Sequence, residues 1–191
     1  SQVFDVSSKD VDAEMRRTIK AMSYGLAYGL SSFGLAQQLD IDPAAASALM
    51  NKYFERFGGI QDYLKTVVVK AKENGYTQTI LGRRRYLPDL SNENRQRREV
   101  AERAALNAPI QGSAADIIKI AMLKVDAEIS KNKLKSRLLL QVHDELILEV
   151  AAGEEEILRE VVSKQMSAAF KLRVPLDVNI GIGKSWDLAA H

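Results

Sequence analysis

With 191 residues, 46% of them hydrophobic, the chain is long enough for a sizeable core and suits one domain or two closely packed ones. It has no cysteine, which excludes disulfides, thiolate metal sites and cysteine nucleophiles and fits a cytosolic protein. A formal net charge of +2 does not by itself mark a nucleic-acid partner. No apolar run approaches the roughly 18–20 residues that span a bilayer, and no basic-then-apolar signal stands at the start, so a soluble chain with no membrane partner is expected.

Residues 1–6 carry no helix start of their own and read as the tail of an earlier element. Ser7, with Asp10 three residues on, has the chemistry of a helix cap with an acid in the first turn. A helix is expected from there to about Tyr28, where Gly29 stops it. Ser31 or Ser32 opens a short helix through Gln38. Pro43 suits the first turn of a third, which runs to Phe57 and ends at Gly58 and Gly59. Residues 60–74, closed by Gly75, make a fourth, with Tyr63, Val67 and Ala71 on one side. Residues 1–75 therefore read as a helical lobe, and 76–191 as a region of different texture. TQTILGRRRYLPDL has β-branched and aromatic residues around Gly82 and predicts a short hairpin that Pro88 ends. Helix returns over 94–106, breaks at 107–112 because Pro109 cannot continue the ladder and Gly112 loosens it, and restarts from Ser113 to about Ile129. RLLLQVHDELILEV, residues 137–150, has the pattern of a buried antiparallel hairpin. A helix over 154–170 and a final strand over 176–182 complete an α+β arrangement.

Three features carry chemistry. On a helix, Arg16, Lys20, Tyr24 and Tyr28 stand one above the other, drifting by about 40° per step. The strip has two permanent cations at one end and two rings at the other. Arg forks onto two phosphate oxygens, Lys acts as a point charge, and aromatic faces stack on bases or sugars. The plain alternative is a solvated basic turn followed by half-buried tyrosines. Next, residues 83–103 hold seven arginines (83, 84, 85, 95, 97, 98 and 103) against Asp89, Glu93, Glu99 and Glu102. That is a phosphate-binding surface or an ordinary solvated loop. Last, Val142-His143-Asp144-Glu145 sets two adjacent carboxylates at a hairpin tip. Mg²⁺ takes oxygen ligands, usually one or two carboxylates with substrate phosphates and water, whereas Asp in a turn often serves only its own local hydrogen bonds. A phosphohydrolase reading of His143-Asp144 needs more histidines, and the other one is His191. A nucleophilic triad lacks any Gly-x-Ser-x-Gly segment. Gly183-Lys184-Ser185 is not a phosphate loop, because Val178 stands where its first glycine belongs.

Taken together, the strip Arg16-x3-Lys20-x3-Tyr24-x3-Tyr28-Gly29 and the VHDE hairpin resemble the A family of DNA polymerases, the DNA polymerase I group. GRRRYLPDL (82–90) and ERAALNAPIQGSAADIIK (102–119) resemble that family's segments in the same order. The resemblance implies an α+β fold in which a helical fingers region, 1–75, precedes the rest of the fingers and the C-terminal part of an antiparallel palm. It implies a first helix that closes over the incoming deoxynucleoside triphosphate (dNTP): Arg16 and Lys20 on the phosphates, Tyr24 by the sugar and base, Tyr28 beside the template base. A tyrosine at position 24, where the family has Phe or Tyr, is associated with easier acceptance of chain terminators. Asp144 is implied as one of two metal-binding aspartates, with Glu145 beside it and His143 near the primer end. Arg103, Asn107 and Gln111 are implied to face the minor groove of the primer–template DNA, where acceptors differ little between correct pairs. Arg83, Arg84 and Arg85 are implied to lie near a DNA backbone. Two Mg²⁺ ions, a bacterial, nucleoid-associated cytoplasmic location and roles in replication and repair follow from the same resemblance.

The sequence also departs from the family. The other catalytic aspartate normally lies in an Asp-Tyr-Ser strand upstream of the first helix, and Asp5, Asp10 and Asp12 stand in the wrong context for it. The thumb is absent as well. The expectation is therefore a polymerase fragment that does not polymerise alone, with an exposed strand edge and a tendency to associate. The alternative function is a helical nucleic-acid-binding module without chemistry.

Overall fold

The computed structural model describes residues 1–189; His191, set aside above as a ligand, lies outside them. The described residues form an α+β protein with two small antiparallel sheets. Its contacts divide it into two compact units, Ser1–Gly112 and Ser113–His191.

In the first unit a 3-10 turn, Ser8–Asp10, precedes α1 (Ala13–Ala27). Ser7 caps only the 3-10 turn, and the helix starts later than expected. Asp12 is its true cap, its carboxylate accepting from the Met15 N–H at 2.7 Å. At the other end the Leu30 N–H donates to the Gly25 carbonyl and the Gly29 N–H to that of Leu26, with Gly29 at φ +72°. This paired closure needs a left-handed residue, which glycine supplies without a β-carbon clash. Next come α2 (Ser32–Leu39), capped by Ser31, and α3 (Pro43–Arg56), capped by Asp42 with proline in its first turn. The last helix of this layer is α4 (Gly58–Asn74). Gly58 and Gly59 open α4 rather than trail α3, since Phe57 alone makes the corner. Met22, Leu26, Leu35, Ala36, Ala46 and Tyr53 bury together with Val3, each large side chain contributing about 1.5–3 kcal/mol. On α4, Ala71 is fully buried while Tyr63, two turns before it on the same side, is 47% exposed, so that side is buried only toward its C-terminal end.

The hairpin pairs β1 (Tyr76–Gln78) with β2 (Arg84–Tyr86), placing Tyr76 opposite Tyr86. A 3-10 turn, Pro88–Ser91, then leads into α5 (Arg95–Lys131), and Ala71, Leu87, Leu90, Ala101 and Ala105 form a second core. The break expected at 107–112 does not occur: α5 runs through with Pro109 inside it. A proline removes one ladder bond and usually kinks a helix, but the stretches on either side each bury one face, Ala101 and Ala105 in the first unit and Ile118, Ala121, Val125 and Ile129 in the second. Packing outweighs local propensity.

The second unit takes α5 from Ser113 onward, then β3 (Arg137–Val142), β4 (Glu145–Glu149), α6 (Glu155–Ser167) and a last turn, α7 (Trp186–Ala189). Val125, Ile129, Leu158 and Val162 are its core. The β3–β4 hairpin is less buried than its apolar composition suggests. Its register shifts between Leu138 and Leu140, and Leu139 and Leu140 are 50% and 56% exposed. An extra residue at a bulge leaves the ladder and turns the strand. Segment 176–182, expected as a strand, pairs with none among the described residues. Its burial still alternates, half-buried at Leu176, Val178 and Ile180 and exposed between them, and Ile180 packs on the core. The side chains keep the strand pattern that the sequence displays; the ladder is what is missing.

One clamp joins the open end of the hairpin to α6. The Glu154 carboxylate accepts from the backbone N–H of Lys135 (2.9 and 3.0 Å) and Ser136 (2.8 Å) and from the Ser136 hydroxyl (2.7 Å). The Ala151 N–H donates in turn to Ser136 Oγ. These bonds, the Lys135 N–H first and Ser136 next, hold the Glu154 carboxyl below the usual carboxylate range. A lowered carboxyl stabilises the fold above its unfolded pKa, about 4.3, and loses that contribution as pH falls through the folded value. In urea titrations, Ser136→Ala is expected to cost about 1–3 kcal/mol, because Ser136 is buried and both bonds go. The gap in urea midpoint between wild type and Glu154→Gln is expected to be full at neutral pH and to close in acid.

Candidate active-site face and turn

The side of α1 opposite its buried Met22 and Leu26 carries Arg16, Lys20, Tyr24 and Tyr28, all exposed, Tyr24 at 57% and Tyr28 at 42%. Fourfold spacing brings the four into one file, as expected. The end of that file is fixed to α5. A β-carbon on Gly29 would lie 3.1 Å from Arg103 Cγ and from Leu106 Cδ1. Gln111 Nε2 donates to the Tyr28 hydroxyl at 3.0 Å. Arg103, Asn107 and Gln111, again four apart, therefore line the side of α5 that meets the aromatic end of α1.

The three arginines of the first hairpin do not act as one group. Arg83 Nη2 donates to the Gly112 carbonyl of α5 at 3.0 Å. The Arg84 guanidinium lies 4.5 Å from the centre of the Tyr76 ring, a cation–π arrangement. Arg85 stands opposite Thr77 in the ladder and borders a groove with Tyr86 and Arg97.

In the second unit His143 and Asp144 form the two-residue turn, while Glu145 already belongs to β4, opposite Val142. All three side chains are exposed. His143 takes φ +54°, a left-handed value that few residue types adopt without glycine's freedom, histidine among them. Gln141 Nε2 donates to the His143 carbonyl at 2.9 Å and so braces the peptide that leads into Asp144. Sequence reasoning passed over Gln141; its place two residues before a left-handed turn residue, on the same strand face, was the available sign. Asp144 and Glu145 also border a cleft of about 690 Å³ between β4, α6 and segment 177–186. Gly183, discounted as a phosphate loop, has a packing reason: a β-carbon there would come within 2.6 Å of the α7 backbone. Among the described residues no group of three or more His, Asp or Glu side chains is placed to hold a metal ion, and no helix is long and apolar enough to cross a membrane.

The family model for DNA polymerase family A matches residues 1–188. The chain belongs to that family. It is 59% identical over all 191 residues to DNA polymerase I of Mycobacterium tuberculosis (strain H37Rv), and 48% identical over 184 residues to DNA polymerase I of Bacillus caldotenax. These alignments take in 100% and 96% of the chain, and the chain spans only about a fifth, 21%, of the length of either relative. It also superposes on the POL domain of Pol1 from M. smegmatis, solved in complex with DNA primer-template and dNTP. There the TM-score is 0.96 at 60% identity, over 100% of this chain and 34% of the other.

Gly29→Ala is expected to cost well over 1 kcal/mol, since alanine is both strained at positive φ and pressed against Arg103 and Leu106. Gly75→Ala, at φ +75° with open space around it, meets the backbone penalty alone. Thermal denaturation of the two variants checks the difference; equal losses would mean that the α1–α5 contact carries no strain.

Proposed function

We propose that this chain forms the fingers and the C-terminal part of the palm of a template-directed DNA polymerase. Residues 1–75 are the helical fingers; residues 76–191 complete the fingers and contribute to the palm. The observation that supports this best is the α1 file, two cations and two rings exposed on a helix whose other side is buried. In the reaction the 3′-oxygen of a primer attacks the α-phosphate of a dNTP in line, and pyrophosphate leaves.

The chain's own groups bind and orient. Arg16 forks onto the phosphate oxygens and Lys20 adds a point charge, so both stabilise the negative charge that is redistributed as the bond to the leaving group breaks. Tyr24 packs against sugar and base. Tyr28, tied to Gln111, sets the wall beside the template base, and closure of α1 on a correct pair assembles the site. Arg103, Asn107 and Gln111 read the minor groove of the primer–template, His143 stands near the primer end, and Arg84 and Arg85 lie near the backbone. Mg²⁺ fits these residues in part. Asp144 and Glu145 are hard oxygen donors on an exposed turn, the kind of pair that holds one ion together with phosphates and water. Two ions need a further carboxylate from another segment. When bound, such ions act as Lewis acids on the attacking and leaving oxygens. The 191 residues alone are therefore inactive. A bacterial cytoplasmic location at the nucleoid goes with this reading.

The test is primer extension by DNA polymerase I of Mycobacterium tuberculosis in which residues 1–191 replace the matching segment. Extension is expected, and Asp144→Ala is expected to abolish it with little change in DNA affinity. Arg16→Ala or Lys20→Ala should raise the KM for dNTP by roughly ten- to a hundredfold, the scale of one lost charged hydrogen bond. Undiminished extension with Asp144→Ala would favour a binding module without chemistry. Template-dependent incorporation by the 191 residues alone would refute their dependence on other segments.

A further inference from the structure

We propose that Arg83 is a positioning residue for Gln111 and not a contact to the DNA backbone. The argument starts at Thr79, which is only 8% exposed. Its N–H donates to the Arg83 carbonyl and its carbonyl accepts from the Gly82 N–H, both at 2.9 Å. Its hydroxyl accepts from the N–H of Leu81 (3.3 Å) and of Arg83 (3.2 Å). Gly82 closes the turn at φ +82°. Four bonds to one buried residue leave residues 79–83 a single conformation, and that conformation is aimed at one point on α5.

At that point stands Gly112. A β-carbon on it would lie 2.7 Å from Thr79 Cγ2, the branch methyl of a buried side chain that cannot swing away, and 3.5 Å from Arg83 Nη2. Arg83 Nη2 donates to the Gly112 carbonyl at 3.0 Å. The preceding residue is Gln111, whose amide reaches the Tyr28 hydroxyl. Pro109 has already removed one N–H from this stretch of α5. The turn thus presses and bonds the helix where its own ladder is thinnest, one residue from a side chain that the proposed function assigns to the minor groove. A guanidinium spent on a main-chain carbonyl sets the height and rotation of Gln111.

This inference rests on the polymerase reading for its functional consequence, and the test keeps the two apart. Binding of fluorescent primer–template DNA to the 191-residue chain is measured by anisotropy across a salt series. Arg83→Ala and Gln111→Ala are expected to weaken binding by similar factors, and the double variant no more than either single one. The slope of log affinity against log salt should stay unchanged in Arg83→Ala and fall by about one in Arg85→Ala. Gly112→Ala keeps every charge and should reproduce the Arg83→Ala loss; it also decides the matter if Arg83→Ala fails to fold by circular dichroism. A slope lowered by about one in Arg83→Ala, or losses that add in the double variant, would overturn the proposal. If the wild-type chain binds no DNA, the functional reading fails for this chain, and hydrogen exchange decides the positioning: severalfold faster exchange at amides 111–115 in Arg83→Ala supports it, and unchanged rates overturn it.

Discussion

Leu30 occupies space that two missing side chains leave open. A β-carbon on Gly25 would lie 2.6 Å from its Cδ2, and one on Gly34 would lie 2.6 Å from its Cδ1. The leucine therefore sits between the last turn of α1 and the first turn of α2 with no room for anything larger than hydrogen on either helix. Its N–H is also the donor that closes α1 on the Gly25 carbonyl. One residue thus ends a helix, sets its angle to the next and determines which side of α1 turns inward. Once Met22 and Leu26 are committed to the core, the spacing of four leaves Arg16, Lys20, Tyr24 and Tyr28 nowhere to go but out.

Exposure has an electrostatic consequence. Neither Arg16 nor Lys20 forms an ion pair among the described residues, while the neighbouring Arg17 reaches Glu14 at a long 3.9 Å. Cations left unpaired on a rigid helix keep their charge available to an anionic partner, with little reorganisation to oppose binding. Part of the basic segment, by contrast, is spent internally. Arg95 pairs with Glu99, Arg98 donates to the Asn92 carbonyl, and Lys72 of α4 meets Glu102 of α5 at 2.6 Å. The density of arginine in 83–103 is thus a poor guide to where phosphate would bind.

Much of this was legible in the sequence for reasons that are local. The cap at Ser31, the helix-ending glycines 29 and 75 and the file on α1 depend on neighbours a turn away and read correctly, whereas Asp12 displaced Ser7 as the cap of α1 and Gly58 and Gly59 open α4 instead of ending α3. The misreadings are long-range. Pro109 looked like a break because the burial that holds α5 together comes from residues distant in sequence. Segment 176–182 alternates like a strand, but a strand is defined by a partner, which its own residues cannot announce. In the candidate site, the file and the Asp144 turn could be found from spacing and composition. Arg83 was grouped with Arg84 and Arg85 because nothing in a run of three identical residues says that the turn behind it, built on Thr79, points the first one at a helix.

Gly29 is held by two independent requirements, a left-handed backbone and the nearness of Arg103 and Leu106. For a lineage drifting in sequence, this makes the position a coupled one. No single change at 29 is neutral, and none becomes so until α5 has first given way at 103 and 106. Because Arg103 shares its helix face with Asn107 and Gln111, that prior change would itself alter the surface opposite Tyr28. The joint between the two helices is therefore a place where the protein is slow to explore alternatives, and variation in the exposed file on α1 is more easily reached through the side chain at Tyr24, which stands clear of the joint.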